Sequence, residues 1–120
     1  MTQNLIKQFN DTLLKFMEQT ELLTGSSYIT QFKLLTSLNS FMAIDMYIRN
    51  ILPYKHYIFN KNEQFFINVN IDESYMAYFC DITKLKQIFM QLDTKTKNNI
   101  WEYIQALTIL ADDRHRTHST

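Results

Sequence analysis

Few residues in this chain have the type and spacing for chemistry. Thr94, Lys95, Thr96 and Lys97 follow Asp93 at the start of a helical pattern. Free backbone N–H groups and cations at a helix start attract an anion. Thr94, Lys95 and Lys97 are therefore a candidate anion-binding set. The competing arrangement is a solvated helix start, with Asp93 or Thr94 as the cap. The lysines would then be ordinary surface cations, slightly opposed by the helix dipole. A second cluster is aromatic: Tyr54, Tyr57, Phe65 and Phe66, with Lys55, His56 and Lys61 among them. These four rings are candidate partner-binding residues. Basic residues between rings also suit single-stranded nucleic acid by stacking. Lysine stems lying over core aromatics would give the same pattern.

Metal chemistry has two weak starting points. Asn68, Asn70 and Asp72 alternate as calcium ligands do, but the glycine and terminal glutamate of an EF-hand loop are missing. His115 and His118 sit at helical spacing without a third ligand. No metal and no cofactor is expected. With one glycine in 120 residues, neither a glycine-rich phosphate loop nor a nucleophile elbow can be built. The three histidines pair with no evident nucleophile, and the carboxylates are scattered, so no enzyme is expected.

Charge and composition narrow the partners. Twelve basic and twelve acidic side chains give a formal charge of zero. Phosphate contacts supply most nucleic-acid affinity, so nucleic-acid binding is expected to be weak or absent. No apolar run reaches the ~18–20 residues of a membrane span, and the N-terminus lacks a secretory leader pattern. Cys80 is alone, which excludes an internal disulfide and suits a reducing, intracellular compartment.

The elements that must position these residues are helical. One glycine and one proline leave little for the turns of an all-β fold. Ile6, Phe9, Leu13, Phe16 and Met17 mark a first helix from Thr2 to Leu23. Thr24-Gly25 ends it, and Ser26 and Ser27 are the expected caps of the next. That second helix is predicted to run from Ser27 to Asn50 and to stop before Pro53. It is apolar around much of its circumference. Such a helix is central in a bundle or lies at an interface, and the central position is the expected one. Pro53 to Asn62 suits a short helix. Residues 62–74 permit a short strand or an irregular segment after Phe66, or a short helix around Glu63–Phe66. Ser74 to Phe79 can extend as helix, with Cys80 a small core residue. Asp81 caps a helix over Ile82–Leu92, with Ile82, Leu85 and Phe89 inward. The cleanest pattern is the last. Ile100, Tyr103, Ile104, Leu107 and Ala111 share a face, and Trp101 sits at its edge as a core anchor. The fold expected is all-α: one compact bundle of four or five helices over 1–112, with a flexible tail over 113–120.

One resemblance accompanies this reading. Thr94-Lys95, followed by Ile100-Trp101-x-Tyr103-Ile104-Gln105-x-Leu107, resembles a pattern in uncharacterised helical proteins of giant DNA viruses of protists. Phe41-x-x-x-Asp45, Ile51-Leu52-Pro53 and Ile58-x-x-Lys61-x-Glu63-x-Phe65-Phe66 extend it upstream. The resemblance implies a viral, mostly helical protein of the virion or host cytoplasm. It brings no catalytic residue.

The expected function is accordingly a non-enzymatic protein–protein interaction or structural role, with a protein partner or self-association through the second helix or the aromatic segment 54–66. The alternative is a nucleic-acid-associated protein using Lys55, Lys61, Lys84, Lys86, Lys95, Lys97 and the Arg114–Arg116 tail.

Overall fold

The computed structural model describes residues 2–69 and 81–118. The helix expected over 74–79, the core role of Cys80, and Asn70 and Asp72 lie outside them. Seven α-helices and one 3₁₀ turn occur among the described residues, with no strand among them. They are α1 (Thr2–Thr24), α2 (Ile29–Leu38), α3 (Met42–Asn50), the 3₁₀ turn (Leu52–Tyr54), α4 (Lys55–Phe59), α5 (Glu63–Asn68), α6 (Ile82–Phe89) and α7 (Thr94–His118). The all-α class holds. The helices outnumber the expected four or five because the second helix is divided and the middle of the chain coils in short pieces.

The two long helices form the frame. α1 and α7 pack along each other, and α3, α4 and α6 close over them. Phe9 of α1, Ile44 of α3, Leu85 and Phe89 of α6 and Leu107 of α7 are fully buried. The apolar stripe of α1 is as its spacing predicts: Ile6, Phe9, Leu13, Phe16 and Met17 all face inward. Gly25 ends α1 with φ of 78°, and its N–H donates to the Glu21 carbonyl at 2.8 Å. That left-handed backbone is the reason a glycine stands there.

Ser26 and Ser27 do not cap α2. The Ser26 N–H turns back to Thr24 Oγ1 at 3.3 Å and its hydroxyl donates to Asp81 Oδ2 at 3.4 Å. α2 therefore starts after Tyr28, with no side-chain cap. The predicted continuous helix over 27–50 breaks at Asn39-Ser40-Phe41. Asn39 is extended (φ −150°, ψ 98°), and its Oδ1 accepts the Phe41 N–H at 3.1 Å. Asn10 of α1 reaches across to the Ser40 carbonyl at 3.0 Å. An asparagine that satisfies a nearby N–H offers the backbone an alternative to the helix, and α1 secures it.

The 62–69 segment takes the helical alternative, not the strand. Asn62 Oδ1 accepts the Phe65 N–H at 2.9 Å and caps α5, which ends at Asn68. Asp81 caps α6 as expected, its Oδ1 taking the Lys84 N–H at 3.1 Å. That helix ends at Phe89, before the predicted Leu92.

The tail expected over 113–120 is helical as far as His118. Arg114 explains its start. Its guanidinium lies over the Phe41 ring at 4.9 Å and its Nε donates to Asp45 Oδ1 at 2.9 Å. An arginine stem covers apolar surface as an aliphatic residue does, so a segment without apolar residues still packs.

Tyr47 and Thr108 join α3 to α7 by the polar contact deepest in the core. The two oxygens are 2.8 Å apart, Tyr47 Oη lies 3.1 Å from the Ile104 carbonyl, and Thr108 donates to that carbonyl at 2.7 Å. Thr108 is fully buried, although its place in the helical pattern allows a solvent face.

Candidate interaction surface

The four candidate rings divide between core and surface. Phe66 is buried and packs on Phe89 and Trp101, with ring centres 4.6 and 5.9 Å away. Tyr57 stacks on Phe65 at 4.7 Å with planes 7° apart, and Tyr54 tilts against Phe65 at 5.2 Å. Phe65 is thus held between two tyrosines. Tyr57 stays 44 % exposed, and Phe59 nearby is exposed. Much of this aromatic surface is spent on itself.

The candidate anion set does not converge. Asp93 Oδ1 accepts the Thr96 N–H at 2.8 Å, and the Asp93 carbonyl accepts that of Lys97 at 3.0 Å. The capping carboxylate thus fills the place of the anion. Lys97 turns to Glu63 Oε1 at 3.3 Å and lies over the Phe89 ring at 5.5 Å. Thr94 and Lys95 are exposed. The Thr96 hydroxyl, its N–H and then Lys95 hold the Asp93 carboxyl below its ordinary value. A carboxyl depressed in the folded state stabilises above the unfolded pKa, and the benefit is lost as pH falls through the folded pKa. Asp93→Ala should therefore lower Tm by a few degrees at pH 7. Melts of parent and variant should converge toward pH 2, and a gap that persists there would remove the capping role.

Several other basic residues also have acceptors. Lys55 pairs with Asp112 at 3.4 Å, and Arg116 with Asp112 and Asp113 at 3.4 and 2.5 Å. Lys61 reaches Asn98 Oδ1 at 3.5 Å, and Lys86 donates to the Val69 carbonyl. Acidic and neutral oxygens thus interrupt the positive surface at each place.

Helix α2 differs from every other long element. Ile29, Phe32, Leu34, Leu35 and Leu38 are half of its ten residues, yet only Phe32 is buried. It packs on α1 and α3 and lies outside the bundle, not at its centre. Phe32 and Thr36 take the inner side. One turn apart on the outer side, Leu34 is 61 % and Leu38 77 % exposed. Gln31, Thr30 and Ser37 flank them, also exposed. The apolar circumference of the second helix is legible in sequence; the break at Asn39 that leaves α2 outside is not.

Open surface grooves accompany these features. One, of about 480 Å³, runs between α1 and α2 and is lined by Ile6, Asn10, Lys33, Ser37 and Phe41 among others. Among the described residues no three His, Cys, Asp or Glu side chains could hold a metal ion. Nor is any helix of those residues long and apolar enough to cross a membrane. No family model, curated protein or solved structure matches the chain.

Proposed function

We propose that this chain is a non-enzymatic protein–protein interaction module whose docking surface is the outer face of α2. The carrying observation is the pair Leu34 and Leu38, 61 % and 77 % exposed on a helix with a single buried residue. Exposed leucines occurring singly are ordinary. Two, one turn apart on a short helix that is apolar elsewhere, match the spacing by which helices anchor on partners. The resemblance of the last helix to giant-virus proteins makes the virion or the infected cell the expected setting.

The test is the Leu34→Asp/Leu38→Asp double variant. Exposed substitutions usually change stability by no more than about 0.5 kcal/mol, so the variant should melt close to the parent. In an extract of the cell that naturally produces the chain, the parent should elute within a larger complex and the variant as the free chain. A parent that elutes as the free 14.4 kDa chain would overturn the proposal.

The nucleic-acid reading is the weaker one, because Lys55, Lys61, Lys86, Lys97 and Arg116 each face an oxygen of the chain itself. Binding to RNA or DNA at physiological salt should be no tighter than ~10⁻⁵ M, the level of nonspecific electrostatic association. Fluorescence anisotropy on labelled oligonucleotides measures it. Sub-micromolar, sequence-dependent binding would reverse the ranking.

A further inference from the structure

We infer that α2 is a hinged strap. It leaves the bundle as one unit, between Ser27 and Asn39, while α1, α3 and α7 stay folded. It does so whether or not its outer face holds a partner.

The residues of α2 give it little stability of its own. A helix shorter than about 12–15 residues is marginal in water, and α2 has ten. Ile29, Thr30, Phe32, Thr36 and Ser37 are half of them, and each is a weaker helix former than alanine or leucine. No side chain caps its start, and no acid stands in its first turn. Thr36 and Ser37 turn their hydroxyls back to the Phe32 and Leu34 carbonyls, at 3.0 and 2.7 Å. Such bonds slightly weaken a helix.

Packing must therefore hold α2, and its one buried residue is Phe32. Open grooves of about 480 and 400 Å³ undercut it, one beside Lys33 and Ser37 and the other beside Ile29. The short helices α4 and α5 also bury one residue each. α7 reaches over to both of them: Gln105 donates to the Ile58 carbonyl at 3.2 Å, and Lys97 pairs with Glu63 at 3.3 Å. Among the described residues the side-chain hydrogen bonds of α2 instead close within the helix. An element with few buried contacts opens in a step smaller than global unfolding.

Pins on either side set the limits of the moving unit. Before it, the Gly25 N–H is held by the Glu21 carbonyl at 2.8 Å, and the Ser26 hydroxyl by Asp81 at 3.4 Å. After it, Asn10 holds the Ser40 carbonyl at 3.0 Å, and Arg114 pairs with Asp45 at 2.9 Å. Ala43, Ile44 and Tyr47 bury α3 just beyond the second pin. Phe16, Met17 and Thr20 bury α1 ahead of the first. The non-helical residues between pins and helix absorb the backbone change, as hinge residues do. Phe32 leaves the core cluster with the strap. Opening therefore adds a hidden ring to the leucines already in solvent.

Hydrogen exchange of the native chain, followed by mass spectrometry, tests the strap. Relative to their unprotected rates, amides of 29–38 should exchange about 100-fold faster than those of 9–17 in α1 and 100–111 in α7. The exposed double variant Gln31→Glu/Ser37→Ala adds an acid to the first turn and a better helix former to the last. It should slow exchange over 29–38 about 5-fold and leave 9–17 and 100–111 unchanged. Only a segment that opens by itself responds alone. Equal protection of α2 and the two long helices would overturn the proposal. So would equal slowing of all three by the variant, or fast exchange that continues through α3. The rates are read on the isolated chain, so a failure of the docking reading does not alter them.

Discussion

Trp101→Ala should be the most damaging single substitution considered. Trp101 is 2 % exposed and its indole meets Phe66 and Phe89 edge-on, with ring centres 5.9 and 6.0 Å away. Through those rings it holds α5 and α6 against α7. Truncating a buried tryptophan costs about 3–5 kcal/mol, because apolar surface is lost and a cavity is left. Domains of this size have about 5–15 kcal/mol in total. The variant should melt roughly 10–20 °C below the parent, or fail to fold. A melt within a few degrees of the parent would remove Trp101 from the core and make it a candidate contact for a partner.

Tyr47→Phe should have the second largest effect, and it should appear in alkali. At neutral pH the variant loses one buried hydrogen bond. Thr108 still donates to the Ile104 carbonyl, so no acceptor is orphaned, and the cost is about 1 kcal/mol. Burial pushes the Tyr47 phenol well above its ordinary value of 10.0, against the opposite pull of its hydrogen bond with Thr108. The unfolded chain therefore releases a proton above pH 10 that the folded chain keeps. Stability then falls as pH rises, by up to about 1.4 kcal/mol per pH unit. Between pH 10 and roughly 11.5 the parent should lose about 2 kcal/mol that Tyr47→Phe retains. Urea unfolding of both chains across that range should show the parent's advantage vanish and then reverse. A difference independent of pH would mean that Tyr47 reaches solvent.

The helices whose signals lie close in sequence are the legible ones. α1, with its stripe from Ile6 to Met17 and Gly25 at its end, carries its own signals, as does α6 after Asp81. What cannot be read depends on residues far apart. Asn39 can end a helix, but the Ser40 carbonyl is secured by Asn10, thirty positions away. Without that bond, residues 27–50 read as one helix, and the exposure of Leu34 and Leu38 has no basis. Lys97 reads as available for an anion until the fold brings Glu63 to it. Arg114 reads as part of a free tail because its packing partners, Phe41 and Asp45, lie far away in sequence. Among the rings, the spacing of Tyr54, Tyr57, Phe65 and Phe66 does not separate Phe66 in the core from Tyr57 on the surface. Asn62 decides that by starting α5 and fixing which ring points inward.

The claim that α2 is the docking face is tested most directly by photo-crosslinking from single positions in the producing cell. A photoreactive residue would replace in turn Leu34, Leu38, Lys15 on α1 and Tyr57 in the aromatic segment, all four of them exposed. Discrete adducts are expected from positions 34 and 38 and none from 15 or 57. Adducts from position 57 with none from 34 or 38 would contradict it and move the interface to the stacked rings of α4 and α5.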